Sequence, residues 1–171
     1  MCIFQEQVDK CEQNISDHEN YQDKYKGSLE WIEAQQRGLE DCSELPSDNE
    51  MLDAKLDTMN TMTMSTDSGL GTFNSALESG ERLYPNTSNE GRENIRRELR
   101  ALREKWENYN DNLNETQRKL EGSRMQWSSF DENFEQLENW MEDSAEQLKE
   151  DDEVKNTLQE KKASLQHYRV G

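Results

Sequence analysis

The chain has 171 residues, 38 acidic against 20 basic side chains, a net charge of −18 and a mean hydropathy of −1.27. Only 30% of it is hydrophobic, against about 45–50% in an ordinary globular domain, which excludes a sphere built on one thick core. No apolar run approaches the ~20 residues of a bilayer span and no signal-peptide pattern opens the chain; charge of this sign opposes docking on nucleic acid or anionic lipid.

Four Trp, five Tyr, four Phe and many Leu favour long helices with narrow apolar seams over disorder. Cys2, Cys11 and Cys42 form an odd set without a CxxC pair. They fit neither a disulfide framework nor a zinc site, and a reducing compartment, cytosol or nucleoplasm, is expected.

The two prolines, Pro46 and Pro85, each sit in a short polar cluster. Behind each stands a capping-box pattern, Ser47 with Glu50 and Thr87 with Glu90. Helices are therefore predicted over 2–43, 48–83 and 88–150. A turn near Asp151-Asp152 is expected to start a fourth, over about 152–169.

In the first stretch Phe4, Val8, Cys11 and Ile15 form an apolar line. Tyr21, Tyr25, Trp31, Ile32 and Leu39 follow, and each has a counterpart 109 positions later in Phe130, Phe134, Trp140, Met141 and Leu148. Such a fixed offset marks an internal repeat. It divides the chain into 1–17, the end of a preceding unit's last helix; 18–126, one complete three-helix unit (about 18–43, 48–83 and 88–126); and 127–171, the first helix and the start of the second helix of a following unit.

The second stretch keeps a weaker seam of Leu52, Leu56, Met59, Leu70, Phe73, Leu77 and Tyr84. Thr63 and Thr66 fall where apolar residues belong, and Gly69 and Gly71 each cost about 1 kcal/mol relative to alanine. The least stable part, with a kink, is expected near 60–72. Asp67-Ser68-Gly69-Leu70-Gly71-Thr72 resembles a phosphodegron read by a ubiquitin ligase; the plainer reading is a frayed helical segment.

The third stretch is the most periodic. Alternate steps of four and three from Ile95 reach Leu99, Leu102, Trp106, Tyr109, Leu113, Thr116, Leu120, Ser123, Trp127, Phe130, Phe134, Leu137, Met141, Ser144 and Leu148. This 3.5-residue spacing makes one seam on a continuous helix of roughly 80 Å. Arg92, Arg96, Arg97, Arg100, Arg103 and Lys105 concentrate basic charge near its start, interleaved with Glu93, Glu98, Glu104 and Glu107. A solvated face with i,i+4 pairs such as Glu93–Arg97 explains them; a docking strip for an acidic partner is the sharper alternative.

Nothing points to catalysis. His18 and His167 are far apart, His18 at the repeat partner of Trp127 and read as a seam residue. Glu150-Asp151-Asp152-Glu153 lacks the glycine and ligand spacing of a calcium loop. The Asn-x-Ser/Thr matches at Asn14, Asn86 and Asn114 are expected by chance. No nucleophile–base pair, cofactor loop or metal cluster is recognisable, so no enzyme, cofactor or metal is expected.

A tryptophan midway in the first helix (Trp31, Trp140), another in the third (Trp106), and a third helix running into the next first helix resemble spectrin repeats, with Trp127 among the signature positions. Gly80-Glu81-Arg82-Leu83-Tyr84-Pro85, Gly91-Arg92-Glu93 and Gln126-Trp127-Ser128-Ser129-Phe130 look like the giant nesprins, nuclear-envelope spectrin-repeat proteins with a C-terminal KASH segment. The Thr-Met-rich second helix departs from the usual repeat. The resemblance implies an all-α, elongated three-helix bundle and a structural spacer in a cytoskeletal linker, tethering the outer nuclear membrane to actin as in a LINC complex, for nuclear positioning. The implied location is the cytoplasmic face of the nuclear envelope. The implied partner is a cytoskeletal or actin-regulatory protein, with no nucleic acid and no direct membrane contact by this segment. A self-associating helical rod, or a repeat of a plakin- or dystrophin-type crosslinker, is the alternative.

Overall fold

The computed structural model describes residues 2–151 and 157–170. Four α-helices occupy them: α1 (Cys2–Ser43), α2 (Asn49–Arg82), α3 (Asn89–Asp151) and α4 (Leu158–Val170). No strand occurs among the described residues, so the fold is an all-α helical bundle. Contacts divide the chain into two compact units, Met1–Arg124 and Met125–Gly171.

The first unit contains α1, α2 and α3 as far as Arg124. Proline breaks the chain where expected: Pro46 between α1 and α2, and Pro85 within a 3-10 turn at Tyr84–Asn86. The caps lie one residue beyond the expected ones. Asp48, not Ser47, caps α2, its Oδ1 accepting from the Met51 amide at 2.7 Å. Ser88, not Thr87, caps α3 through the Gly91 amide at 3.2 Å. Thr87 instead donates its hydroxyl to the Leu83 carbonyl at 2.7 Å, so neither expected capping box forms.

At one end of this unit Tyr21, Leu83, Ile95 and Leu99 form a buried cluster, with Tyr25, Leu77 and Tyr84 packed on it. Ile32, Leu52, Met59, Leu102 and Leu120 are also fully enclosed. The α3 seam is buried at Ile95, Leu99, Leu102, Tyr109, Leu113, Thr116 and Leu120, with Trp106 half-buried.

No break interrupts α2, which is helical throughout 60–72. The Thr63 and Thr66 hydroxyls donate to the carbonyls of Met59 and Met62 one turn earlier, satisfying the polar groups that made the segment look unsuited. Leu70, expected in the seam, is exposed. Gly69 takes the inward position, because a Cβ there would stand 2.3 Å from Trp31 Cη2. The glycine is the space for the indole. Gly71, by contrast, has nothing within 4 Å of its missing Cβ.

In the second unit, α3 continues from Met125 with no interruption through 122–129. The rings of Phe130 and Phe134 lie 6.2 Å apart. Phe130, Phe134, Leu137, Trp140, Met141 and Leu148 are all exposed, as are Leu158 and Leu165 of α4. The expected turn at Asp151-Asp152 lies partly outside the described residues: Asp151 ends α3 and Asp152 is beyond. So does the expected start of α4 at 152; the helix begins at Leu158 behind a reciprocal box, the Glu160 amide donating to Thr157 Oγ1 at 3.3 Å and the Thr157 amide to Glu160 Oε2 at 3.0 Å. Thr157 stands 109 positions after the Asp48 cap, the same offset as the aromatic pairs. Among the described residues no helix is long and apolar enough to cross a membrane.

Candidate docking surface

The α3 seam fixes where the basic residues of its first turns point. With Ile95, Leu99 and Leu102 inward, Arg92, Arg96 and Arg103 flank the seam on one side and Lys105 on the other. Arg92 is half-buried and its Nε donates to the Thr87 carbonyl at 2.9 Å. The Arg96 guanidinium sits 5.3 Å over the Tyr84 ring and 3.5 Å from Glu93. Glu93 thus pairs with Arg96, not with Arg97 as the i,i+4 rule suggested. Arg103 bridges to Glu81 of α2 at 3.1 Å, and Lys105 to Glu33 of α1 at 2.9 Å.

Four of the six cations are therefore turned to their own unit. Arg97 and Arg100 are exposed and enter no ion pair among the described residues. The strip foreseen over Arg92–Arg103 narrows to these two free guanidinium groups.

Beneath the strip the Tyr21 hydroxyl donates to Glu98 Oε2 at 2.7 Å. Burial, then that carboxylate, push the Tyr21 pKa far up; the phenol stays neutral as a donor. Farther along, the two tryptophans of the first unit meet. Trp31 lies 5.6 Å from Trp106 and edge-on to Tyr109 at 5.5 Å, while Phe73 stacks on Trp106 at 4.9 Å. Thr66 Oγ1 and the Tyr109 hydroxyl are 3.5 Å apart, which explains a threonine at that seam position. Trp127 and Trp140 belong to the second unit. Trp127 is half-buried with its ring 6.4 Å from Phe130, and Trp140 is exposed.

An open groove of about 440 Å³ between α1 and α3 is bordered by Gln36, Glu40, Asn112, Glu115 and Lys119, with Leu39 and Thr116 at its floor. There Lys119 holds the Glu115 carboxyl below the usual range through a direct bond. The His18 ring is half-buried, its Nε2 3.3 Å from Thr87 Oγ1, in keeping with a packing role. Among the described residues no three metal-ligating groups converge; Asp152 and Glu153 of the acidic run lie outside them. Sequence reasoning reads Gly69 only as a weak point of the helix and does not single out the Thr157–Glu160 box. The box has a readable Thr-x-x-Glu signal, whereas the role of Gly69 depends on a ring 38 positions away and has no local signature.

No family model matches the chain. Over 168 residues, 98% of its length, the chain is 34% identical to Muscle-specific protein 300 kDa of Drosophila melanogaster. It spans about 1% of that relative's length. Similarity to a short stretch of a far longer chain, together with the helical bundle, fits a spectrin-like repeat.

Proposed function

We propose that this chain is a non-catalytic spacer and protein-docking segment of a long cytoskeletal linker of nesprin type. In that role it helps to tether the outer nuclear membrane to actin and other cytoskeleton for nuclear positioning. The observation that carries the reading is α3, one helix from Asn89 to Asp151 bearing a single 3.5-spaced seam. A helix resists bending because bending breaks its i→i−4 hydrogen bonds, and repeats joined this way hold a distance under load. Arg97 and Arg100 supply the contact for an acidic cytoskeletal or actin-regulatory partner.

Antibodies raised against the chain test the tether: they should label the nuclear rim in permeabilised cells, and labelling confined elsewhere contradicts it. Co-sedimentation with actin filaments tests the docking strip. The chain should pellet with filaments, and Arg97→Glu/Arg100→Glu should stay in the supernatant with unchanged melting. Equal pelleting of the two would retire the strip.

The exposed apolar line from Phe130 to Leu148 favours a second reading, association of two copies. Light scattering separates the two: a mass near 20 kDa at all concentrations excludes it. Between Arg124 and Lys149 the chain has 7 acidic and no basic residues, which opposes side-by-side pairing of identical segments.

A further inference from the structure

The hexapeptide Asp67-Ser68-Gly69-Leu70-Gly71-Thr72 plays no part in the docking surface. It is helical, with the side chains of Ser68 and Thr72 exposed four residues apart, one turn above the other. Thr72 Oγ1 donates to the Ser68 carbonyl at 3.3 Å. Between the two hydroxyls Gly69 is buried, and the six-membered ring of Trp31 occupies the place of its missing Cβ. The backbone of α2 therefore rests directly on the indole.

The surrounding helix carries residues that lower its stability. Thr58, Thr61, Thr63 and Thr66 all donate to carbonyls one turn back, a pattern that weakens and bends helices. Two glycines add their conformational freedom. No Lys or Arg occurs on α2 between Lys55 and Arg82, so the segment has no cation of its own to accept added negative charge.

We propose that Ser68 and Thr72 form a paired phosphorylation site, and that their modification releases α2 from Trp31. In each transfer the hydroxyl oxygen bonds to the γ-phosphorus of ATP and the bond to the bridging oxygen of ADP breaks. ADP leaves, and the hydroxyl proton passes to the catalytic carboxylate of a protein kinase. Each phosphate brings about −1.5 to −2 charges. At i and i+4 of a helix the Cβ atoms are about 5–6 Å apart, so two phosphates repel each other and Asp67 in a chain already at −18. Extended backbone lets the same residues separate to about 13 Å. Repulsion thus favours the opened segment, and opening in turn presents the hydroxyls to a kinase cleft, which takes a peptide in extended form.

Two measurements on the 171-residue chain test this. The first compares amide exchange in the unmodified chain and in one carrying phosphoserine at 68 and phosphothreonine at 72, made by ligation. Exchange across 60–75 should rise at least tenfold, with less change at 95–102; unchanged exchange at 60–75 overturns the proposal. The second incubates the chain with cytosolic extract and magnesium-ATP and locates phosphate by mass spectrometry. Trp31→Ala, which removes the ring from Gly69, should raise incorporation at Ser68 and Thr72 at least fivefold. Should that variant unfold the whole unit, Trp31→Phe serves in its place. Equal incorporation, or none at either hydroxyl in any chain, overturns it.

Discussion

Residues 20–43 and 129–150 carry one pattern in two environments. Tyr21 is 3% exposed and Phe130 59%; Ile32 is 0% exposed and Met141 57%. Within each helix the ring spacing is nearly the same, 5.9 Å for Tyr21–Tyr25 and 6.2 Å for Phe130–Phe134, although the planes meet at 39° and 21°. Seam spacing is therefore enough to specify the helix and the face on which its apolar side chains align. Burial is a separate matter, decided in the first unit by α2 and the opening of α3, which bring Leu83, Ile95 and Leu99 onto Tyr21.

The sharpest way to break this comparison is to truncate matched residues. Ile32→Ala should destabilise the first unit by about 2–5 kcal/mol, and Met141→Ala should stay within about 0.5 kcal/mol. Urea unfolding followed by circular dichroism reads both, and equal losses would contradict the distinction. Next come the two glycines of α2. Gly69→Ala forces a methyl against the Trp31 ring and should cost about 1–3 kcal/mol. Gly71→Ala meets nothing and should gain about 0.5–1 kcal/mol. Melting midpoints moving in the same direction would refute the space-filling account of Gly69.

The repeated caps separate the units further. Asp48→Ala should cost about 1 kcal/mol of the first unit's stability, whereas Thr157→Ala should leave that transition unmoved and speed amide exchange only at the start of α4.

The smallest effect is on pH. Burial raises the phenols of Tyr21, Tyr25 and Tyr109 above the ordinary value, and the Glu98 carboxylate raises Tyr21 further. With the folded value raised, the unfolded chain releases its protons first. Stability is thus full below about pH 10 and falls as pH climbs above it. Tyr21→Phe, which copies the phenylalanine of position 130, should flatten the decline above about pH 10 in urea titrations. An unchanged slope would show that Tyr21 does not carry it.

Much of this architecture is legible in the residues alone. Proline and cap signals place the first three helices to within a residue, because each break has a local cause. The caps themselves slip by one: Asp48 and Ser88 adjoin residues of similar chemistry, and only geometry shows that the Thr87 hydroxyl is spent on Leu83. Interactions across the bundle are not legible. Arg103 and Lys105 find Glu81 and Glu33 at separations of 22 and 72 positions, and the fit of Gly69 under Trp31 needs two helices already in register. The concentration of basic charge at the start of α3 is legible in the sequence, but which of its members pair within the unit is not.

The central claim is that one helix crosses Gly122–Ser129. Spin labels at Arg118→Cys and Gln136→Cys, with Cys2, Cys11 and Cys42 replaced by alanine, test it by pulsed dipolar spectroscopy. Five helical turns separate the sites, so the account predicts a narrow distance distribution near 27 Å between the backbone positions. A broad distribution, or one centred well short of that, would mean an interruption between the labels and would contradict it.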